Sequence, residues 1–521
     1  MRWGRGSSLL VAALAALLLA VAVSWPLALH LDTHLLSPAQ HPDVQVGGLF
    51  WPKAVAHSVL SLEDPFFRKE LACPLGQDVT LVTWNLALQV LLIPITSWAS
   101  PVAALNLSAL AIAVLNGLAF AWAGWRFSGD WRGGAWALVL GTCAAGPLSE
   151  VGLGHMDQAF LAPQAVFFVA LATRRRALAT VALALAGAVY WFNALFLLVL
   201  ALVLLLAIRR KELLVDLATI GGAALLFILP LLIPVLLARW EQPEVLALVE
   251  DPGPVRQLRE TYSLALSSFL GPLPSVDLAR PHHLRPSLLA LPLLAVGAWK
   301  LRGQGRALSA AGLVAMVLAL GPRIFLAPGM PLIPGPAALL HLLPGFEQLR
   351  WPARWALQAL PLLAAVGGAM LARRPRLLVG LVVVLVIEAR VVRSASPELA
   401  PFGVNPALME LEGPVVQVPS ASLPNGFVGL QAMHGQPIDG GIGFQFPEMV
   451  RLHDRDVELL AAIDAIGMHE TPDPDPDWGP FRHVALYPVG PKEQQRHWES
   501  DLKRLLGPPL HESRDLMLWT K

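Results

Sequence analysis

Long apolar runs alternate with short basic clusters along most of this chain. The apolar runs approach the length of about 20 residues that a membrane-spanning helix needs. Lys and Arg accumulate in the cytoplasmic loops of multi-pass membrane proteins, so their positions also predict orientation. The pattern predicts an all-α polytopic membrane protein with about eleven transmembrane helices. The predicted spans are residues 8–29, 102–125, 133–148, 159–173, 177–190, 191–208, 213–238, 287–301, 307–321, 353–372 and 377–393.

The segment 83–98 decides the orientation of every later loop. It is apolar but short, and Pro94 interrupts it. If it crosses the membrane, the basic clusters at 174–176, 209–211 and 373–376 face outward. If it stays in the interface, all of these clusters face the cytoplasm, as the positive-inside rule requires. We therefore expect that it does not cross, with a cytoplasmic N-terminus and an extracytoplasmic C-terminal region.

The N-terminal segment has two interpretations. Arg2 and Arg5 followed by an apolar run resemble the start of a secretory signal peptide. The run continues through residues 25–29, which makes it long enough to span a bilayer. We expect an uncleaved first helix.

Composition supports the membrane assignment and narrows the partners. Charged residues make up 14% of the chain, against roughly 25% in soluble domains, and the mean hydropathy is +0.58. A net charge of +1 gives no basis for a nucleic-acid partner. The two cysteines, Cys73 and Cys143, show neither a disulfide framework nor metal-ligand spacing. We expect no cofactor and no required metal.

The composition turns polar after about residue 394. We expect a transmembrane domain at 1–393 with a long outer loop at 30–101, followed by a small extracytoplasmic α/β soluble domain at 394–521. In that domain strand-like runs and helical patterns alternate. The strand-like runs are 415–419, 483–488 and 516–520, and the helical patterns are 448–466 and 492–506.

Short motifs stand in the loops that are predicted to face outward. They are Trp25-Pro26-Leu27, Pro42-Asp43, Asp64-Pro65-Phe66-Phe67, Cys73-Pro74-Leu75-Gly76, Gly154-His155-Met156-Asp157-Gln158 and the segment from Pro344 through Glu347, Arg350 and Trp351 to Arg354. In this order, and on one predicted face, they resemble the motifs of the GT-C superfamily of polytopic membrane glycosyltransferases, in its uncharacterised bacterial branch. The resemblance covers roughly residues 1–400, with the soluble tail similar in general character.

The resemblance implies a mechanism. Such enzymes move a sugar, with inversion, from a polyprenyl-phosphate donor to a glycan, lipid or protein acceptor at the outer face of the membrane. An acid in the first outer loop takes the proton of the acceptor hydroxyl, and basic groups hold the phosphate. The resemblance thus makes Asp43 the general base, Asp157 a second catalytic acid, Arg350 and Arg354 phosphate ligands, and His155 and Glu347 further substrate contacts.

Plainer structural roles stay open for the same residues. Pro-Asp at 42–43 is common turn chemistry, and Asp157 can cap a helix. Arg350 and Arg354 are four residues apart and can anchor a helix at the headgroups.

Two other functions stay open as well. A transporter or flippase of lipid-linked sugars would place ionisable residues inside its spans. Most spans here are free of them, and Glu388, near Arg390 and Arg393, is the exception. Family members often carry an acid pair where Asp43 stands alone, so a non-catalytic GT-C-like scaffold is also open. We expect a multi-pass glycosyltransferase of the inner (plasma) membrane.

Overall fold

The structure is a computed structural model of the whole chain. It describes residues 6–35, 44–69, 71, 76–80, 85–209, 212–241, 263–269, 287–327, 330–340, 342–343, 346, 349, 351–395, 400–401, 405–418, 431, 436, 438, 458–467, 476–487, 492–513 and 516–521.

A bundle of α-helices makes up most of the described N-terminal part. Each of the eleven predicted spans contains at least one helix. The helices of this part are α1 (Gly6–Ser24), α2 (Trp51–Ser61), α3 (Leu86–Thr96), α4 (Pro101–Ser128), α5 (Trp131–Cys143), α6 (Ala145–Gly152), α7 (Met156–Ala159), α8 (Ala162–Ala172), α9 (Arg176–Val189), α10 (Trp191–Ala207), α11 (Leu213–Glu241), α12 (Ala290–Lys300), α13 (Gln304–Leu318), α14 (Ala337–Leu340), α15 (Trp355–Leu371) and α16 (Pro375–Ala395).

Three helical stretches among the described residues are long and apolar enough to cross a membrane by themselves: Pro101–Ser128, Val215–Ala238 and Pro352–Leu371. They differ in position. The apolar window of Pro352–Leu371 is 89% buried within the protein, whereas that of Val215–Ala238 is 22% buried. Helix α15 is therefore the centre of the bundle and α11 lies at its edge. The prediction of about eleven crossings stays a prediction.

Helix-capping residues and small residues determine how α4 and α5 begin and how closely they pack. The Ser100 side chain accepts a hydrogen bond from the Ala103 amide at 3.2 Å, and Asp130 accepts one from the Arg132 amide at 2.8 Å. These residues cap the two helix starts. Small residues then let the helices approach, since a Cβ at Gly124 would overlap the Gly133 carbonyl.

Two predicted spans differ from single helices. The stretch 133–148 is divided, because α5 ends at Cys143 and α6 begins at Ala145. The stretch 159–173 contains α8, which has only 11 residues. Irregular backbone at membrane depth is tolerated where it is buried in protein or lines a cavity.

The segment 83–98 forms the short helix α3. Its 11 residues span roughly 16 Å, about half of a hydrocarbon core. The Lys53 ammonium donates to the carbonyls of Thr96 and Ala99 at 2.8 and 2.9 Å, which ties the end of α3 to α2. Helices α8 and α12 have the same length, so the prediction that this segment does not cross stays a prediction.

The loops that are predicted to be cytoplasmic lie close to one another. The Gln304 amide donates to the Ala172 carbonyl at 2.7 Å. A Cβ at Gly133 would lie 2.9 Å from the Gly368 carbonyl. The end of α8 thus lies next to the start of α13, and the start of α5 lies next to the end of α15.

The C-terminal region contains a four-stranded sheet of β7 (Val415–Val418), β8 (His483–Leu486), β9 (His511–Glu512) and β10 (Met517–Thr520), in the order β7-β8-β10-β9. Strand β7 is parallel to β8, and the other neighbours are antiparallel. One face buries Trp498 and Leu502 of a helix, and apolar residues also cover the other face. The elements are β6 (Ala400–Pro401), α17 (Pro406–Met409), β7 (Val415–Val418), α18 (Glu458–Gly467), β8 (His483–Leu486), α19 (Lys492–Leu506), β9 (His511–Glu512) and β10 (Met517–Thr520).

The C-terminal region packs on the first loop. The two-residue strand β1 (His34–Leu35) pairs with β6, so that His34 faces Pro401. Ile438 is buried in a cluster with Phe50 and Trp51 of the first loop. The first loop and the C-terminal region therefore share one end of the molecule.

Candidate functional site

Three residues of the predicted site are described by the structure, and it brings them together. His155 stands before α7, Asp157 lies in α7, and Arg354 immediately precedes α15. Ring contacts and electrostatic interactions join them. The other three predicted residues lie outside the described residues: Asp43, Glu347 and Arg350.

The turn between α6 and α7 fixes His155. The His155 amide donates to the Glu150 carbonyl at 2.9 Å, and the ring Nδ1 lies 2.7 Å from the Glu150 carboxylate. Gly154 has a φ of +80°, a left-handed conformation that favours glycine. Glu150 is buried, with its side chain 3% exposed. A carboxylate in this position orients the imidazole and stabilises its charged form.

Arg354 is the central cation of the site. Its residue is 6% exposed, and Nη1 donates to the Tyr190 hydroxyl at 2.9 Å. The guanidinium carbon lies 4.4 Å from the centroid of the Trp351 ring, in cation–π contact. The Nε–H has no hydrogen-bond acceptor among the described residues. One donor of a buried cation is thus available to an incoming acceptor.

Asp157 is the second described acid. Gln158 Nε2 donates to its carboxylate at 2.8 Å, and the carboxylate interacts electrostatically with His155 and Arg354. The His155 ring meets the Trp351 ring edge-on, with centroids 5.7 Å apart. Two carboxylates therefore face one guanidinium and one imidazole in a confined space.

A layer of amides lies one turn deeper than Arg354. Gln358 follows Arg354 by four residues, on the same face of the helix. Its Nε2 donates to Asn193 Oδ1 at 3.1 Å. With the Gln164 amide oxygen turned toward Asn193, that oxygen accepts from Asn193 Nδ2 at 3.1 Å. All three residues are buried, and they fix α8, α10 and α15 relative to one another below the site.

The site is recessed within the bundle. The Asn116 side chain donates to the Ala159 carbonyl at 2.7 Å and accepts from the Leu161 amide at 2.8 Å. Asn116 lies about four turns below the start of α4. The stretch 148–158, predicted as a short outer loop, thus dips into the bundle beside α4.

The first loop closes over this turn. The π-helix Val44–Phe50 packs on α4, and a Cβ at Gly48 would lie 3.1 Å from Leu105. A Cβ at Gly47 would lie 3.3 Å from the Gly154 carbonyl oxygen. Val44, the residue after Asp43, is fully buried. The chain next to Asp43 therefore lies against the same turn that holds His155.

Sequence reasoning missed several members of the site. Glu150 was overlooked at the end of a predicted span, and Tyr190 between two spans. The deeper amides Gln164, Asn193 and Gln358 were overlooked too. Their signal was present in the sequence, because polar residues inside apolar runs are costly and mark functional interiors.

The described site combines a buried guanidinium, an imidazole, a phenol and two carboxylates. Among the residues that the structure describes, no group of three or more His, Cys, Asp or Glu side chains could hold a metal ion. Aromatic and amide side chains, including Trp351, Tyr190 and Gln158, lie beside Arg354 and its acids.

Comparison with solved structures shows the fold. The apo oligosaccharyltransferase of Archaeoglobus fulgidus matches with a TM-score of 0.53 at 11% identity, over 97% of this chain and 73% of that one. ArnT from Cupriavidus metallidurans, in the apo state, matches with a TM-score of 0.52 at 12% identity, over 98% and 97%. The archaeal enzyme tethered to an acceptor peptide matches with a TM-score of 0.51 at 12% identity, over 97% and 72%.

Both proteins are GT-C superfamily membrane glycosyltransferases. The resemblance inferred from the motifs is thus confirmed at the level of the fold, and this chain has the GT-C fold. No family model matches the sequence, and no curated protein matches it.

Proposed function

We propose that this protein is a membrane glycosyltransferase that moves a sugar from a polyprenyl-phosphate donor to an acceptor hydroxyl at the outer face. The observation that supports it most is the buried Arg354, with one unengaged N–H, facing Asp157 in a recess of a GT-C fold. A planar guanidinium suits a phosphate because it offers parallel donors. A carboxylate nearby suits a hydroxyl that must lose a proton.

The proposed roles follow from these chemistries. Asp43 is the general base, and the sugar inverts. Asp157 is the second catalytic acid, held by Gln158. Arg354, with Arg350, takes the phosphate leaving group. His155 and Glu347 contact the sugar or the acceptor, and Glu150 orients His155.

The position of the first loop supports these roles. It packs on the Gly154 turn, which is where a first-loop base must approach the other acid.

The test replaces Asp43 in a strain whose envelope glycan or glycolipid depends on this protein. Asp43→Asn removes the base at nearly constant shape, so we expect product to fall by about 100-fold or more. Asp64→Asn is the matched control, since Asp64 is an exposed turn acid of the same loop and should leave product unchanged. Normal product in Asp43→Asn, at normal protein level, would sink the base assignment.

The proposed orientation has its own test. A cysteine-reactive probe that cannot cross the membrane should label a cysteine placed at Gln494 in intact cells, and not one placed at Arg175. Both positions are exposed. Reversed labelling would place the recess on the cytoplasmic side.

A transporter of lipid-linked sugars is the second candidate. The break between α5 and α6 favours it, because discontinuous helices line substrate sites in transporters. Glu388, its other sequence signal, accepts hydrogen bonds from Ser287 Oγ at 2.9 Å and from the Leu288 amide at 3.0 Å. That contact ties α16 to the residues that precede α12. Movement of a lipid-linked sugar across protein-containing liposomes, without transfer, would favour this function.

A further inference from the structure

The loop between α13 and Trp351 contains an exposed apolar hairpin. From Ile324 to Leu340 the sequence has no polar or charged side chain. Strands β4 (Arg323–Phe325) and β5 (Pro331–Pro334) pair antiparallel, with Ile324 opposite Ile333. All four residues of β5 are exposed.

The exposed surface continues past the hairpin into α14. Leu332 and Ile333 are 54% and 60% exposed, and Leu339 and Leu342 are 70% and 79% exposed. Isolated apolar residues on a surface are ordinary, but a contiguous group of large ones marks an interaction site. A segment of this composition in contact with water would favour aggregation.

The root of the hairpin stands at the end of a bundle helix. Helix α13 ends at Leu318, and the Leu264 amide donates to the Ala319 carbonyl at 2.9 Å just beyond it. The Gly335 amide closes the hairpin by donating to the Pro322 carbonyl at 2.8 Å. Val317, in the last turn of α13, is also exposed, so an apolar outer surface runs from the helix to the hairpin.

The backbone of the hairpin also suits an apolar medium. Pro331 and Pro334 occupy both ends of β5, and proline has no N–H to leave unpaired. The Leu326 amide donates to the Met330 carbonyl, and the Ser267 amide donates to the Leu326 carbonyl, both at 3.0 Å. Unsatisfied backbone groups are what excludes most loops from lipid, and these hydrogen bonds satisfy part of the hairpin's backbone.

We propose that the hairpin of β4 and β5, together with α14, inserts into the outer leaflet of the bilayer as an interfacial anchor. The lipid surface is the partner that fits an uncharged apolar segment rooted at a membrane boundary. Arg323, exposed at the root, then lies at the level of the headgroups.

The test uses the full-length protein in phospholipid vesicles, with Cys73→Ser and Cys143→Ala as background. Leu332→Cys and Leu339→Cys are labelled with an environment-sensitive fluorophore, and lipids with a nitroxide on the acyl chain are added. Leu226→Cys, exposed on α11, is the lipid-facing control, and Gln494→Cys on α19 is the water-facing control. We expect quenching at positions 332 and 339 of at least about half that at position 226.

Quenching no stronger than at position 494 would overturn the proposal. A blue-shifted emission that nitroxide lipids do not quench would also overturn it, because the hairpin would then be covered by protein. If that shift fades at high lipid-to-protein ratio, the cover is a second copy of this chain.

Discussion

Arg176 and Arg354 stand at the two ends of one helix and do different work. Arg176 begins α9, and Arg354 binds Tyr190 just after the end of α9. Arg176 is 43% exposed, and it pairs with Asp216 at 2.6 Å and with Glu212 at 2.9 Å. Arg354 is buried, bonds a neutral phenol, and keeps one N–H without an acceptor.

Arg176 is a clamp that joins two helices, whereas Arg354 has the properties expected of a ligand-binding residue. A guanidinium paired directly with two carboxylates has little capacity left for a ligand, and it joins two helices. A buried guanidinium held by rings and a hydroxyl keeps one donor without an acceptor, while the nearby Glu150 and Asp157 carboxylates stabilise its charge. Proteins tolerate such a cost where a ligand recovers it.

Replacing Arg354 should have the largest effect on product formation, and it tests the proposed difference between Arg354 and Arg176 most directly. We expect Arg354→Ala to lower product per folded protein by about 100-fold or more. Arg354→Lys should lose about tenfold or more, because an ammonium has neither the planar fork nor the stacking on Trp351. Arg373→Ala, exposed after the other end of α15, is the control. Full activity in Arg354→Ala would remove this residue from the site.

The clamp should show the opposite behaviour. We expect Arg176→Ala to destabilise the protein by about 2 kcal/mol, since the fully buried Asp216 carboxylate loses its cation. Activity per folded molecule should be retained. Adding Asp216→Asn should recover part of the loss, and Arg175→Ala should be neutral. An inactive but stable Arg176→Ala would contradict the division of roles.

Glu388 is a buried acid whose role, structural or functional, can be tested in the same way as those of the two arginines. Glu388→Ala leaves the Leu288 amide and the Ser287 hydroxyl without this acceptor, so we expect a loss of about 1–3 kcal/mol. Glu388→Gln keeps an acceptor oxygen and should lose less. Thermal unfolding measures both. If Glu388→Gln instead abolishes function at unchanged stability, Glu388 belongs to a transport pathway.

The amide layer gives the smallest effect. In a double-mutant cycle of Asn193→Leu and Gln358→Leu, we expect a coupling of about 0.6 kcal/mol in unfolding free energy. Product should fall less than in Arg354→Ala, because these side chains position the arginine and do not bind the phosphate. A coupling near zero would show that the layer does not hold α10 and α15 together.

Much of the helix content followed from the apolar runs. Period and length are local properties, so each predicted span contained a helix. The break at Ala144 was not predicted, because hydropathy averages over a window and does not register one residue with a non-helical ψ of 132°. The recess of the 148–158 stretch was missed for a related reason, since its depth depends on contacts of Asn116.

The candidate site was predicted in part. His155, Asp157 and Arg354 were identified through motif order, and they converge in the structure. Glu150 and Tyr190 were not, because their meaning depends on what faces them. In the structure, Glu150 is buried beside His155 and Tyr190 is buried beside Arg354.

The sequence by itself determined that this chain forms apolar helices separated by basic clusters and has a polar C-terminal region. Those properties are sums over neighbouring residues and need no knowledge of the fold. Only the tertiary structure decided that residues nearly two hundred positions apart, from His155 to Arg354, share one buried recess. Electrostatic and hydrogen-bond energies depend on distances in space, and those distances are fixed by the packing of the helices.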